Sequence, residues 1–368
     1  MAVAVDAPPR NPEAEPRAPS ATEGSGRRTR LIGLGLLGLL ALLPIPFGDF
    51  GFFAGQYALV YAMLGLSVTV VTGYAGLISL MPYSFAGIGA MITGLAMASW
   101  GWPFWLAILL GALATIPFSV LVGVASIRLK GLYLAIATLT MANALGETFF
   151  QWGDVTGGNT GWLISRPRVG PIDFASDRMF YGLCLAVVLL LLWMVEGLRT
   201  SRTGRAMLAV RDNELEAQAL GINVYKTKLV ALVIGGMIAA IGGGFLAALL
   251  LNPTPSAFRP PFAEVTSILL ITLVSIGGID RALGAFFGAI ALVIQQQVFQ
   301  GAEFFFAFFG IYTGFTVILF LMFRPGGLIQ IGKLQLALIR ERPVLGIAVT
   351  VAIVGLNVGI AWLVLSLS

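Results

Sequence analysis

The most constraining feature of this chain is a series of apolar runs, each long enough to cross a lipid bilayer. A transmembrane helix needs about 20 apolar residues, and only helices and closed barrels satisfy their backbone groups inside lipid. Eleven such runs cover approximately 31–47, 52–73, 78–100, 104–126, 131–150, 179–198, 228–251, 264–279, 283–300, 302–323 and 345–367. The pattern predicts an all-α polytopic membrane protein with about ten or eleven transmembrane helices. Pro44 and Pro46 interrupt the first run, and Pro82 predicts a broken or re-entrant segment.

The composition agrees with a chain whose solvent is mostly lipid. Of 368 residues 58% are hydrophobic, and the 22 basic and 17 acidic residues together make only 11%. Soluble domains carry about 25% charged residues, so a soluble enzyme or a nucleic-acid-binding domain is not expected. The chain has no histidine and one cysteine, Cys184. We therefore predict no catalytic residue, no metal site and no enzyme activity of its own.

The glycine motif GLGLLG at 33–38 lies inside an apolar run, so it does not indicate a dinucleotide site. The sequence contains no GxxxxGK[ST] motif. Any ATP and Mg²⁺ that the protein depends on must therefore bind to a separate subunit, and no cofactor is predicted on this chain.

The positions of the basic residues predict the orientation, because Lys and Arg collect on the cytoplasmic side of membrane proteins. If the N-terminus is cytoplasmic and the runs alternate, 18 of the 22 basic residues fall on the cytoplasmic side. The other four, Arg166, Arg168, Arg178 and Arg259, fall outside. We predict a multi-pass protein of the cell membrane with a cytoplasmic N-terminus, and the basic charge needs no nucleic-acid partner.

The chain divides into three predicted parts. Residues 1–30 are rich in Pro, Ala, Glu and Arg and predict a disordered cytoplasmic tail. Residues 31–330 form the transmembrane domain, and residues 331–368 form a short cytoplasmic linker followed by an additional transmembrane helix. Inside the domain, the cytoplasmic loop 199–227 predicts one helix from about Gly204 to Leu220, ended by Gly221.

Two interpretations of this loop helix remain open from the residues alone. It is either a solvated connector or a docking helix for a soluble partner. In the second case Met207, Leu208 and Val210 would offer apolar contact, and neighbouring charges would fix the register.

Small residues recur at four-residue spacing, which lets helices in lipid approach until their backbones touch. The sets are Gly236, Ala240 and Gly244; Gly284 and Gly288; and Gly310 and Gly314. We predict that these positions are helix contacts.

The carboxylates near the spans are Glu147, Glu196, Glu264 and Glu303, and all four fall near predicted span ends. A proton- or sodium-coupled transporter is expected to place carboxylates at mid-span. An ion-coupled secondary transporter therefore remains an alternative but is disfavoured.

Six segments of the chain, taken in order, carry a resemblance to a known protein family. They are GYAGLISL with FAGIGA (73–90), RLKGLYLAIATL (128–139), TGGNTG (156–161), the stretch from Ser201 to Leu232, SIGGIDRALGAFFGA (275–289) and FRPGGL (323–328). Together they resemble the LivM-type permease subunits of branched-chain amino acid ABC importers, over roughly residues 52–330. Met81, Pro82 and the lack of an acidic residue after TGG depart from the family pattern.

The resemblance implies an importer in which this chain pairs with a second permease, most simply as a heterodimer. Two cytosolic ATPase subunits would dock beneath, and an external binding protein would deliver branched-chain amino acids. Urea or short amides are the alternative cargo within the same class. The resemblance places the ATPase-coupling contact at five positions, Arg205, Asn213, Glu214, Ala217 and Gly221.

A zwitterionic cargo would need hydrogen-bonding groups along its path through the membrane. We predict that five small polar residues contribute to this path: Ser79, Ser84, Thr156, Asn159 and Thr160.

Overall fold

The computed structural model describes residues 48–126, 129, 131–169 and 172–300. The main helices in these ranges are α1 (Gly48–Val68), α2 (Pro82–Ala98), α3 (Phe104–Ser126), α4 (Leu132–Glu147), α5 (Asp177–Thr200), α6 (Arg202–Asp212), α7 (Glu214–Ala219), α8 (Val224–Leu250), α9 (Phe262–Gly277) and α10 (Ala282–Gln300). A π-helical turn, Thr69–Tyr74, extends α1. Two short antiparallel strands, β1 (Arg168–Val169) and β2 (Ile172–Asp173), form a hairpin between α4 and α5.

Each of the eight predicted spans within the described residues coincides with a helix, so the all-α membrane architecture is confirmed. Four helical segments are long and apolar enough to cross a bilayer: Gly51–Tyr74, Phe104–Val124, Asp177–Thr200 and Val224–Leu250. Helices α9 and α10 give a fifth candidate span if they count as one, bent by 113°. The predicted spans 31–47, 302–323 and 345–367, the tail 1–30 and the segment 331–368 lie outside the described residues.

Helix α2 is short because the chain is non-helical just before it. Pro82 begins the helix, where its missing N–H and fixed φ are tolerated. Residues 75–81, which we call the first break, connect the π-helical turn to α2. The predicted interruption at Pro82 is therefore confirmed.

Side chains of other helices accept hydrogen bonds from backbone N–H groups in the first break and at the start of α2. The Leu80 N–H donates to Thr138 Oγ1 of α4 at 3.0 Å, and the Tyr83 N–H donates to Ser267 Oγ of α9 at 3.4 Å. Irregular backbone is tolerated at membrane depth only when protein groups complete its hydrogen bonds. Helices α4 and α9 thus support the start of α2.

Glycines bring helix backbones into contact in two places. A Cβ on Gly243 of α8 would overlap the Ala86 carbonyl of α2, and a Cβ on Gly89 would overlap the Ala240 carbonyl. In the same way Gly277 of α9 lies against the backbone of α10 at Gly284. The predicted contact role of the small-residue sets around 236–244 and 284–288 is confirmed; Gly310 and Gly314 lie outside the described residues.

The loops form two groups, as the predicted alternation of the spans requires. One group, which we call the basic end, contains the loop 199–227 and the turn between α9 and α10, where Arg211 bonds to Asp280 at 2.7 Å. The opposite end contains the segment 149–176 and the α8–α9 connection, where Arg259 lies 3.5 Å from Glu147. Glu147 and Glu196 both lie at helix ends, as predicted.

Candidate functional site

The loop at the basic end forms two helices, α6 and α7, and not the single helix predicted from Gly204 to Leu220. The interruption is Asn213, whose backbone is extended at φ −156° and ψ 111°. Its Oδ1 accepts from the Leu215 and Glu216 N–H groups at 3.0 and 3.4 Å, and its Nδ2 donates to Glu216 Oε1 at 2.7 Å. Asn213 is therefore the N-cap of α7. The N-x-x-E sequence has capping-box spacing, but Glu216 accepts from the Asn213 side chain, because the Asn213 backbone N–H donates to the Ala209 carbonyl.

Every helix of the loop begins at a capped residue. Ser201 Oγ accepts from the Gly204 N–H at 3.1 Å before α6, and Asn223 Oδ1 accepts from the Lys226 N–H at 3.0 Å before α8. Gly221 has φ +79° directly after α7, which confirms the predicted helix stop. Such caps satisfy otherwise unpaired N–H groups, so the path from α5 to α8 is well ordered.

Helix α6 turns its apolar side toward its own chain. Met207 and Val210 are buried, and Gly204 lies against the Leu198 carbonyl of α5. The interpretation that Met207 and Val210 offer contacts to a partner is therefore wrong. Helix α6, to which they belong, packs against α5, α8 and the π-helical turn instead.

Two leucines, one in α7 and one directly after it, are exposed to solvent. Leu215 is 73% exposed and Leu220 is 78% exposed, and the polar Glu216 and Gln218 beside them are also exposed. Exposed apolar side chains with polar neighbours are one common form of a protein-binding surface. We call this surface, made by Leu215, Glu216, Gln218 and Leu220, the α7 face.

The five predicted coupling residues occupy different environments in this loop. Arg205 and Gly221 are exposed, and Arg205 Nη1 donates to the Thr200 carbonyl at 2.7 Å. Ala217 is buried and seats α7 on the rest of the chain. Asn213 caps α7, and Glu214 pairs with Lys228 of α8. Only part of the predicted set is therefore positioned for direct contact. Leu215 and Leu220, which are absent from that set, are the most exposed apolar side chains of the loop 199–227.

The Glu214–Lys228 pair predicts how this loop responds to charge reversal. The Lys228 Nζ atom lies 2.5 Å from Glu214 Oε1, and the Lys228 side chain is only 4% exposed. Glu214→Arg would leave a buried ammonium beside a second cation, which typically costs about 3–5 kcal/mol in buried pairs and less here because Glu214 is partly solvated. We expect less folded protein for Glu214→Arg, measured by detergent size exclusion, and recovery in Glu214→Lys/Lys228→Glu. Equal yields of single and double variants would contradict this.

Arg211, in the last turn of α6, is one of the loop charges that the docking interpretation offered to a partner, but it pairs within its own chain. Its guanidinium donates to the Gly73 carbonyl at 2.5 Å and to Asp280 Oδ1 at 2.7 Å. Burial lowers the pKa of Arg211, but the hydrogen bonds and charges of Asp280 and Asp212 outweigh burial and raise it above its ordinary value. The site beside Arg211 includes a cleft of about 340 Å³, lined by Ala75 and Gly76 on one side and by residues 210–215 on the other.

The five predicted path residues lie near the two ends of α2 and do not form one cluster. Ser79 and Ser84 are buried around the first break, and Ser79 Oγ accepts from the Met81 N–H. Thr156, Asn159 and Thr160 lie in the turns at the opposite end, where Trp162 packs against Gly94 of α2. Because α2 has 17 residues, a helix rise of 1.5 Å per residue separates its two ends by about 25 Å.

A second cavity lies at the opposite end. It has a volume of about 260 Å³, and its lining includes Asn159, Ser256, Arg259 and Phe150. Phe258 is fully buried and lies 5.2 Å from the Tyr83 ring and 6.1 Å from the Phe150 ring, between centroids. An aromatic cluster therefore stands between this cavity and the beginning of α2.

Comparison with known proteins adds the family. The family described as branched-chain amino acid transport system / permease component matches residues 54–323. The chain is 27% identical over 342 residues to the high-affinity branched-chain amino acid transport system permease protein LivM of Salmonella typhimurium, with 86% of this chain and 79% of that protein covered. LivM of Escherichia coli gives the same identity and coverage.

A more distant relative, the nucleoside ABC transporter permease protein NupC of Lactococcus lactis, is 32% identical over 155 residues, 39% of this chain and 48% of that protein. No solved structure matches the chain significantly. The family match covers well over half of the chain and agrees with the apolar helices and the six sequence segments. The protein therefore belongs to the branched-chain amino acid transport system permease family and is a multi-pass membrane permease component.

Proposed function

We propose that the protein is the permease subunit of an ATP-driven importer that passes branched-chain amino acids delivered by an external binding protein. The observation that carries the proposal is the α7 face. It holds two exposed leucines, one on the short capped helix α7 and one at its C-cap, at the basic end, where the positive-inside rule predicts the cytoplasm. Family membership and the names of the LivM relatives support the choice of cargo.

The proposed assembly contains a second permease subunit and two cytosolic ATPase subunits. ATP and Mg²⁺ bind to the ATPases, and this chain makes and breaks no covalent bond. Closure of the ATPases draws the α7 faces together, and the helices joined to them shift so that the path opens toward the binding protein. Hydrolysis resets the permease to its other state, as alternating access requires.

The proposed path runs from the cavity at the opposite end to the first break. Asn159 and Arg259 line the entrance and offer polar groups to a zwitterion, whereas the Phe258 cluster closes the route below. Ser79 and Ser84 lie beyond that cluster, where α2 begins. Thr156 and Thr160 hold the entrance turns through hydrogen bonds to the Trp152 and Gly157 carbonyls.

Reconstitution tests the proposal. The complete complex in liposomes, with the external binding protein and labelled leucine, is expected to accumulate leucine only when ATP is present on the ATPase side. An ionophore at constant ATP is expected to leave uptake unchanged. Uptake without ATPases, or uptake that an ionophore abolishes, would instead identify an ion-coupled transporter.

The cargo is tested in the same vesicles. Unlabelled isoleucine and valine are expected to compete with leucine. Competition by urea, a short amide or a nucleoside, together with no effect of valine, would assign the permease to another cargo and keep the ATP-driven mechanism.

A further inference from the structure

Arg211 is the point where three separate segments of the basic end meet. Its Nη1 atom lies 2.5 Å from the Gly73 carbonyl, in the π-helical turn that leads into the first break. The same atom lies 2.7 Å from Asp280 Oδ1, in the turn of residues 278–281 between α9 and α10, which we call the second break. Arg211 itself lies in the last turn of α6, three residues before α7 begins. One guanidinium therefore connects the α7 face with both interruptions of the membrane helices.

The π-helical turn that leads into the first break also touches the second break directly. A Cβ on Gly73 would overlap the Ile279 carbonyl, so only glycine permits this approach of the two backbones. Gly76 has φ +69°, and a Cβ there would lie 2.7 Å from Arg211 Cγ. Three backbones are thus packed at contact distance around one side chain, and a displacement of any one of them must move the others or break the contacts.

We propose that Arg211 is the positioning residue that passes a displacement of α7 to both breaks at once. This inference rests on the proposed function, because it takes α7 as the place where the ATPases act. The bonds explain the choice of residue. A guanidinium presents several N–H donors in a planar fork and holds the Gly73 carbonyl and the Asp280 carboxylate in a fixed relation. A lysine ammonium is a compact charge on a flexible stem and would not fix the Gly73 carbonyl relative to the Asp280 carboxylate.

The consequence is that both interrupted helix pairs change together. The first break sets the start of α2, near Ser79 and Ser84, and the second break sets the 113° angle between α9 and α10. Ser267 of α9 also bonds the Tyr83 N–H of α2. A displacement of Arg211 thus reaches the start of α2 in two ways, through the first break and through α9.

The test compares transport with hydrolysis in the complete reconstituted complex. In Arg211→Gln and Arg211→Lys, leucine uptake per ATP hydrolysed is expected to fall tenfold or more, while ATP hydrolysis stays within twofold of wild type and the complex stays assembled. Asp280→Asn removes only the charge of one acceptor, so its leucine uptake per ATP hydrolysed is expected to fall by less. Arg202→Gln, an exposed residue at the first position of α6, is the matched control and is expected to keep the wild-type ratio.

A spin label at Leu283, exposed at the start of α10, provides a readout that a merely structural role would not alter. Its spectrum is expected to change with ATP in the wild-type complex and to remain unchanged in Arg211→Gln. A normal uptake ratio or a normal label response in that variant would overturn the proposal. Loss of assembly in both Arg211→Gln and Asp280→Asn would also overturn it, because Arg211 would then be an anchor for the fold. Failure of the proposed importer function would give a different result from failure of the Arg211 proposal, because the wild-type complex itself would then show no ATP-driven uptake.

Discussion

Gly243→Ala is expected to separate α2 from α8 and to lower both the melting temperature and the yield of folded protein. The added methyl group would occupy the position of the Ala86 carbonyl oxygen, and the nearby Ala86 Cα would be 2.8 Å away. Side chains elsewhere can rotate away from an added methyl group, but two helix backbones can only move apart. Overpacking of this kind costs about 1–3 kcal/mol or more, against a total stability of about 5–15 kcal/mol for typical domains. The measurement is the yield of monodisperse protein in detergent and its melting temperature.

Gly182→Ala and Gly197→Ala in α5 are the matched controls. A Cβ at either position meets no atom within 4 Å, and alanine is the better helix former by about 1 kcal/mol. Both variants are expected to keep or slightly raise the melting temperature. If Gly243→Ala behaved as these two do, the backbone contact between α2 and α8 would be refuted.

Leu215→Asp is expected to abolish ATPase association and uptake while leaving the permease folded. Leu215 is 73% exposed, so its own chain loses little when it changes. Full burial of a leucine against a partner contributes about 1.5–3 kcal/mol, and a carboxylate in its place adds a desolvation cost. A loss of 2 kcal/mol weakens binding by about 30-fold. Co-purification of the ATPase with tagged permease measures the effect, beside uptake in vesicles.

The matched control for the α7 face is Leu163→Asp. Leu163 is 80% exposed, but it lies at the opposite end of the molecule. This variant is expected to retain the ATPase fully. Equal retention of the ATPase by both variants would show that the α7 face is not the docking surface.

The membrane spans were predictable because the solvent imposes their length. The predicted run 104–126 coincides with α3, and the run 179–198 lies within α5 (Asp177–Thr200). Lipid requires an uninterrupted apolar helix of about 20 residues, so hydropathy alone locates most of each span. The glycine contacts were predictable for a related reason, since four-residue spacing of small residues has a direct steric meaning.

The loop 199–227 was harder to predict because its apolar pattern is compatible both with packing on its own chain and with binding another protein. A stripe that includes Met207 and Val210 would look the same whether it packed on α8 or on another protein. The helix break was recoverable, since Asn213 and Glu216 have capping-box spacing, but helix-forming residues on both sides concealed it. The role of Arg211 was not recoverable from the local sequence, because its partner Asp280 lies 69 residues further along the chain.

The short α2 has a consequence for how the protein responds to the thickness of its bilayer. Thirteen of its 17 residues are buried in protein, whereas the apolar windows of α3 and α5 are only 44% and 33% buried. Helices of 23 and 24 residues are about 35 Å long, so α3 and α5 can meet thinner or thicker lipid by tilting. The irregular backbone beside α2 is shielded from that adjustment, and changes in acyl-chain length should reach the transport path only through the tilt of its neighbours.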